Sequence, residues 1–402
     1  MKHPLEIQYG PLDGWIILLI MGGLSISFFL YQVIKATRLV MLGAPDNRFD
    51  SWGLRIKEML VGWLGQKKVL RDKIAGTMHV LMFWGFLMLG SDMLDLVSAN
   101  YFSEHLLPSF LNKPWNGIVE LGYTTALLGA LAALTRRVLF TPTKLKGKSQ
   151  VEGNFILVLI LTITSTSFII ESPENPDRIW EPLGFWVSGL GLSSNFIIAS
   201  YWAHMVSICC FLVLIPLSKH MHLVMAIPNV FFHDTQALGK MRPLAIGDDG
   251  KAVPLEDLDI DSFGVSTFDQ YTWRQIIDGW SCTSCARCQD VCPAYESGKG
   301  LNPMQVIHDI RDYANEYAPI LLKGENPEET MLARITSEAV WACTTCNACV
   351  DICPLYIEHV PKLTELRRNA MMETMDYPEE LNVAMGNLES ASNPYGFGAH
   401  ER

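Results

Sequence analysis

Residues 282–293 read CTSCARCQDVCP, and residues 343–354 read CTTCNACVDICP. Cys282, Cys285, Cys288 and Cys292 thus follow C-x-x-C-x-x-C-x-x-x-C-P with Pro293, and Cys343, Cys346, Cys349 and Cys353 repeat the pattern with Pro354. Three cysteines at a spacing of three wrap one face of an iron–sulfur cubane, while the fourth is carried away and reaches the other cluster. The spacing therefore predicts two [4Fe–4S] centres, one on Cys282, Cys285, Cys288 and Cys353, the other on Cys343, Cys346, Cys349 and Cys292. Structural zinc is the competing reading, but zinc sites rarely use four cysteines in so dense a run, and here the run is doubled.

Eight of the ten cysteines fall in this 72-residue stretch. That crowding excludes a small disulfide-stapled secreted domain, and thiols that must stay reduced suit a cytoplasmic placement. Working outward, residues 272–280 are short and amphipathic and lead into the first motif. Between the motifs, 304–322 and 328–341 carry apolar residues at helical spacing, with Gly324 and Pro327 as the break. A last helix is expected over 361–375, and 390–402 reads as a tail too polar and Gly-rich to fold alone. Upstream, 241–268 is acidic and rich in Gly, Pro and Asp, which predicts a connector. No strand-rich region is evident.

Of the 402 residues, 49% are apolar and 18% charged, a high apolar share for a purely water-soluble protein. The net charge of −11 is uneven: from Met221 onward there are 27 acidic and 13 basic residues, leaving 15 and 18 before it. This balance excludes a basic nucleic-acid binder. The first half holds five apolar runs, near 15–34, 74–97, 118–135, 153–170 and 196–217, each long enough for a hydrocarbon core of about 30 Å. The first run reads as a retained helix, since no small-x-small cleavage site precedes a mature domain and four more spans follow. Nine Lys and Arg lie between the first two runs and five between the third and fourth, against only Lys2, Lys113 and Arg178 on the other side. Positive residues stay cytoplasmic, so the N-terminus is expected outside and everything after the fifth span inside.

Histidines in spans are costly and usually functional. His79 sits near the cytoplasmic end of the second run, His204 near the outer end of the fifth, and His220 and His222 just past its cytoplasmic end. Two helices each presenting an imidazole at one depth make a bis-histidine haem site. On a continuous helix His204 and His222 share a face about 27 Å apart, one near each membrane surface, and His220 points about 160° away as a competitor. Cys209 and Cys210, side by side in the fifth run, read as packing residues.

The 50-residue insert between the motifs makes this part resemble the α-helical ferredoxin domain of heterodisulfide reductase and succinate dehydrogenase iron–sulfur subunits. Five spans, an early histidine in the second, and PLSKHMH at 216–222 resemble the cytochrome b gamma subunit of respiratory nitrate reductase. With LGQKKVL at 64–70 leading into the second span, nearly the whole chain resembles membrane-bound heterodisulfide-reductase-like iron–sulfur oxidoreductases, above all the electron-transfer-flavoprotein:menaquinone oxidoreductase group. The resemblance implies an all-α fold: a five-helix transmembrane cytochrome b bundle over 1–225, an acidic linker over 226–270, an α-helical ferredoxin domain with two [4Fe–4S] clusters over 271–375, and a tail over 376–402. It also implies that His79 and His222 hold a cytoplasmic haem b and that His204 serves an outer haem. Two departures stand out. Leu89 occupies the place of the family's second histidine in span two, with Met93 as the nearest alternative, and no C-C-G cysteine-rich domain follows Cys353.

The expected function is a redox relay in a prokaryotic inner membrane. Electrons from a cytoplasmic partner bearing C-C-G-type domains, with an electron-transfer flavoprotein as a further expected partner, would pass through the clusters and haem b to menaquinone. His204, Asp92 and Glu120 are the expected quinone-site groups. The reverse direction, quinol oxidation feeding a thiol, disulfide or sulfur reductase, is the alternative within this class. A membrane-anchored iron–sulfur sensor and a transporter are alternatives from other classes, but no output module, internal repeat or broken helix favours them.

Overall fold

The computed structural model describes residues 3–102, 112–140, 148–174, 176–236, 238–244, 253–257 and 263–401, with the side chains of 91–102, 112, 148–149, 174, 255 and 399 outside the description. The chain divides into two units, the first made of Met1–Ile34 and Leu64–Met221, the second of Lys35–Trp63 and His222–Arg402. This differs from the contiguous division expected from sequence, because the segment after the first apolar run belongs with the cysteine-bearing part.

The first unit starts with a two-residue hairpin, β1 (Gln8–Tyr9) and β2 (Leu12–Asp13). Its long helices are α1 (Gly14–Val40), whose last turns belong to the second unit, as does the short α2 (Trp52–Glu58), then α3 (Lys73–Phe102), α4 (Asn112–Leu139), α5 (Lys148–Glu171), the short α6 (Pro182–Ser188), and α7 (Ser194–Leu217). Among the described residues, five helices are long and apolar enough to cross a membrane: Gly14–Val40, Lys73–Gly90, Lys113–Leu139, Gln150–Glu171 and Ser194–Leu217. Each matches an apolar run seen in the sequence; four extend their runs, and the second, ending at Gly90, stops short of the run's end at 97. Helices α3 and α4 pack through small residues: a Cβ on Gly85 would lie 2.7 Å from that of Ala126, and one on Gly122 2.7 Å from that of Met88. In lipid, such close backbone approach replaces the hydrophobic driving force that water would supply. Ala130, Ile156, Leu157 and Ile160 continue the packing from α4 to α5. Polar side chains on α5 bond within the helix, as when the buried Thr164 hydroxyl donates to the Ile160 carbonyl at 2.8 Å.

The fifth apolar helix does not continue through the histidines. Pro216 lies in its last turn, Ser218 is extended (φ −126°, ψ 176°), Lys219–Met221 form a separate 3-10 turn, and a new helix opens at His222. The shared face expected for His204 and His222, and the opposed direction expected for His220, are therefore corrected: both assumed one unbroken helix.

The second unit contains α8 (His222–Phe231), α9 (Trp273–Ser281), α10 (Arg287–Asp290), α11 (Pro293–Glu296), α12 (Pro303–Glu316), α13 (Ala318–Leu321), α14 (Met331–Ile335), α15 (Ser337–Ala342), α16 (Ala348–Ile352), α17 (His359–Met372) and α18 (Glu380–Ala391), together with α2. Thr272 and Gln275 form a reciprocal capping box that starts α9, and Asn302 with Pro303 starts α12. The stretch expected to be a tail carries α18, which ends where Ser392 turns left-handed (φ 55°). The expected linker is partly helical, because α8 runs into it; residues 245–252 and 258–262 lie outside the described residues.

The segment 35–63 is held by backbone and side-chain bonds. The Ala44 amide donates to the Tyr271 carbonyl at 2.8 Å, the Trp273 amide donates to the Ala44 carbonyl at 3.1 Å, and the Trp273 indole donates to the Asp46 carbonyl at 3.0 Å. Arg55, only 1% exposed, donates to the carbonyls of Phe231 and His233 at 3.0 and 2.8 Å. Gly62 lies against Tyr356 so closely that a Cβ there would sit 2.4 Å from the phenol oxygen.

Candidate functional site

The two cysteine loops share one backbone path. Ser284 (φ 55°) and Ala286 (φ 60°) are left-handed in the first, and Thr345 (φ 53°) and Asn347 (φ 61°) occupy the same places in the second. Left-handed geometry costs about 1–2 kcal/mol for a residue with a Cβ. Two such residues in each loop wind the chain into a concavity lined by amides, the form that suits an anionic sulfide cluster. Short helices, α10 and α16, then carry Cys288 and Cys349, and they pack against each other.

The fourth cysteine of each motif leaves its own loop. Cys353 joins Cys282, Cys285 and Cys288 around one cavity, which Pro354, Ile357 and His359 also line. Burial drives the thiols up, Cys282 and Cys353 to about 12, and mutual repulsion among Cys282, Cys285, Cys288 and Cys353 adds to it. Cys349 is likewise raised by burial, then by Cys343, Cys292 and Cys346. The thiols thus fall into two crossed sets of four. Among the described residues no three His, Cys, Asp or Glu side chains converge as they would on a single ion. Three buried thiols, Cys282, Cys288 and Cys353, disfavoured as bare thiolates, share the cavity with the exposed Cys285, and four cysteines so placed fit a cationic iron core.

Groups that the sequence did not mark surround these sets. The Thr345 amide donates to Cys343 Sγ at 3.4 Å. His308 Nε2 on α12 lies 3.6 Å from Cys282 Sγ and 3.0 Å from Ser284 Oγ. On α17, Arg367 donates to the carbonyls of Val340, Trp341 and Cys343, capping the end of α15 just before the second motif. No carboxylate pairs with it among the described residues. Beside the first set, Arg274, Asp278 and Lys362 are fully buried: Asp278 accepts from Arg274 at 2.8 Å, from Lys362 at 2.5 Å and from the Glu358 amide at 3.0 Å. Arg48 and Glu358 extend this network at 2.9 Å, joining the segment after the first apolar helix to the start of α17. Apart from Arg274 and Asp278, four residues apart on α9, a sequence carries no local signal for these pairs, since Lys362 lies 84 residues from Asp278 and Glu358 lies 310 from Arg48.

Of the proposed haem residues, His79 is half-buried on α3 with its ring stacked 6.4 Å from Phe83. His220 accepts or donates at Nδ1 with the Ser218 hydroxyl at 3.1 Å. His222 opens the second stretch of the second unit, so His79 and His222 belong to different units. His204 Nδ1 lies 3.1 Å from the Ile163 carbonyl and 2.9 Å from Thr166 Oγ1. A carbonyl only accepts, so Nδ1 carries the proton and Nε2 keeps the lone pair, the tautomer a ligand or a proton acceptor needs. Leu89 packs against Val119, Tyr123 and Phe168. Glu120 is buried, and its oxygens accept from the Leu183 and Gly184 amides, each at 2.9 Å. The side chains of Asp92 and Met93 lie outside the described residues. Cys209 and Cys210 sit on α7 as free thiols.

Residues 274–354 match the family model of the 4Fe-4S dicluster domain. The chain is 28% identical over 98% of its length to "EtfAB:quinone oxidoreductase" of Syntrophomonas wolfei, covering 61% of that protein. It is 27% identical over 96% of its length to "Probable iron-sulfur-binding oxidoreductase FadF" of Bacillus subtilis, covering 60% of it. Over 27% of its length it is 31% identical to one of the subunits of the ferredoxin:CoB-CoM heterodisulfide reductase of Methanosarcina mazei, covering 56% of that polypeptide. The chain therefore spans about three fifths of the length of the first two relatives. No solved structure matches it.

Proposed function

We propose that this chain, an iron–sulfur electron-transfer protein related to quinone oxidoreductases and heterodisulfide reductase subunits, moves electrons between a cytoplasmic redox partner and menaquinone. The observation that carries the reading is the crossed grouping of eight thiols, five of them buried, with Cys353 in the first set and Cys292 in the second. Cys282, Cys285, Cys288 and Cys353 would hold one [4Fe–4S] cluster, and Cys343, Cys346, Cys349 and Cys292 the other. His79 and His222, with His220 as competitor, would hold haem b. When bound, these groups supply one-electron carriers.

The chain's own residues set the conditions for transfer. Amides of the left-handed loops donate toward sulfur, and the imidazole of His308 lies within reach of Cys282 Sγ; a donor to sulfur favours the reduced, more negative state. His204, with its proton fixed at Nδ1, is the first candidate to hydrogen-bond a quinone carbonyl through Nε2 or to serve an outer haem; Asp92 and Glu120 follow it. The N-terminus would lie outside and the second unit in the cytoplasm. The partner is a protein with C-C-G-type cysteine domains or an electron-transfer flavoprotein. Similarity to heterodisulfide reductase subunits supports the reverse direction as a second reading.

Detergent-purified protein tests this reading. It should contain about eight non-haem irons per chain and show a haem b spectrum reducible through the clusters. Clusters without haem would remove the haem from the path. Changing His204 to alanine separates its roles: lost haem supports ligation, intact haem with lost quinone turnover supports quinone contact, and unchanged turnover removes it from the site.

A further inference from the structure

Helix α2 and the π-helical turn that continues it, Met59–Leu64, have two dissimilar faces. One is fastened to the rest of the second unit through Arg55, Gly62 and Glu58, whose carboxylate accepts from the Tyr356 hydroxyl at 3.3 Å. The other is apolar and open: Trp52, Ile56 and Leu60, spaced by four, are 54%, 48% and 54% exposed, and Phe49 precedes them at 59%. Side chains four apart stack on one side of a helix, so these form a single stripe. The stripe is rigid at its start. The Trp52 indole donates to the Phe49 carbonyl at 3.0 Å, and its ring meets Phe231 edge-on at 5.4 Å, while Phe49 meets Phe232 at 5.2 Å.

An exposed apolar stripe of this kind marks a surface that something covers. Sequence continuity identifies the cover. The segment leaves α1 at Val40 and enters α3 at Lys73, both long enough and apolar enough to span a bilayer, so it begins and ends at a membrane surface. From 35 to 73 it carries nine Lys and Arg against four Asp and Glu. An apolar face with tryptophan at its edge, in a net basic segment, is the composition of a helix lying in the headgroup region of an anionic bilayer.

We infer that residues 49–61 are an interfacial helix by which the iron–sulfur unit docks on anionic phospholipid, Trp52, Ile56 and Leu60 entering the acyl boundary. The inference rests on the five apolar helices spanning a membrane and not on the redox reading.

The test uses the full chain in nanodiscs of phosphatidylcholine and phosphatidylglycerol carrying an acyl-chain diazirine, with photolabelled peptides mapped by mass spectrometry. Labels are expected on 49–61 as well as on the five spans, and they should weaken when phosphatidylglycerol is left out. The double variant Ile56→Glu, Leu60→Glu should lose the labels on 49–61 while keeping those on the spans and the visible cluster spectrum. Should that variant fail to assemble clusters, Ile56→Gln alone should still lower labelling of the segment relative to the spans. Labels confined to the spans, or unchanged labelling in the substituted chains, would overturn the inference, as would a second protein found cross-linked to the stripe in place of lipid.

Discussion

Replacing Asp278 by asparagine keeps the side-chain shape and removes the charge between Arg274 and Lys362, all three fully buried. At the 2.8 Å separation of Arg274 and Asp278, an effective dielectric constant of about 20 gives a gross attraction of about 6 kcal/mol. Desolvation consumes part of this, and removing one member of a buried pair typically costs about 3–5 kcal/mol, because the remaining charge stays buried. The asparagine would also turn an N–H2 either toward both the Lys362 ammonium and the Glu358 amide, or toward the Arg274 guanidinium. With a slope of about 2 kcal/mol per molar urea, the midpoint for loss of the cluster absorbance should fall by about 1.5–2.5 M. The pH dependence adds a second check. Burial alone would raise the Asp278 pKa, but Arg274 and Lys362 outweigh it and hold the carboxyl well below its ordinary value. A carboxyl whose folded pKa is depressed contributes fully above its unfolded pKa and loses that contribution as the pH falls through the folded value. The gap between the two proteins should therefore be flat from about pH 5 to 8 and begin to close below about pH 4. Coincident urea midpoints, or a gap that widens on acidification, would refute the reasoning.

Two further outcomes follow from the site. Cys292→Ser should damage the cluster held by Cys343, Cys346 and Cys349 and spare the one next to it in sequence; paramagnetic resonance showing the opposite pattern would sink the crossed assignment. Arg367→Gln removes a cation beside Cys343 and should make that cluster harder to reduce, by about 59 mV for each tenfold change in the reduced fraction, whereas Arg367→Lys should stay near the parent value in the same redox titration.

The parts of this molecule that were legible beforehand are those whose physics is local. A cubane dictates the spacing of its cysteines, and a bilayer dictates about 20 apolar residues per span, so both appear as patterns in the sequence. Pro216 was a visible hint that the fifth span stops before His220 and His222, and treating the helix as continuous overlooked it. The two-face helix α2 was hidden because Arg55 reads as one more basic loop residue until its carbonyl partners, 176 and 178 residues away, are known. His308 and Arg367 carried no motif at all. Their meaning comes only from lying beside Cys282 and Cys343 once α12 and α17 have packed.

The segment after the first apolar helix also orders events in time. A ribosome makes Ala44, Arg48 and Arg55 early, yet Arg48 meets Glu358 only after 310 more residues, about 15–60 s later at ordinary elongation rates. Throughout that interval the membrane helices can be inserted while this loop has no fold to join. The second unit is built from two stretches far apart in the chain, and a fragment beginning at His222 would lack Arg48, the nearest of three arginines around Glu358, and the backbone that pairs with Tyr271 and Trp273. Cluster delivery must therefore wait until Glu358 has been made and can meet the segment that carries Arg48.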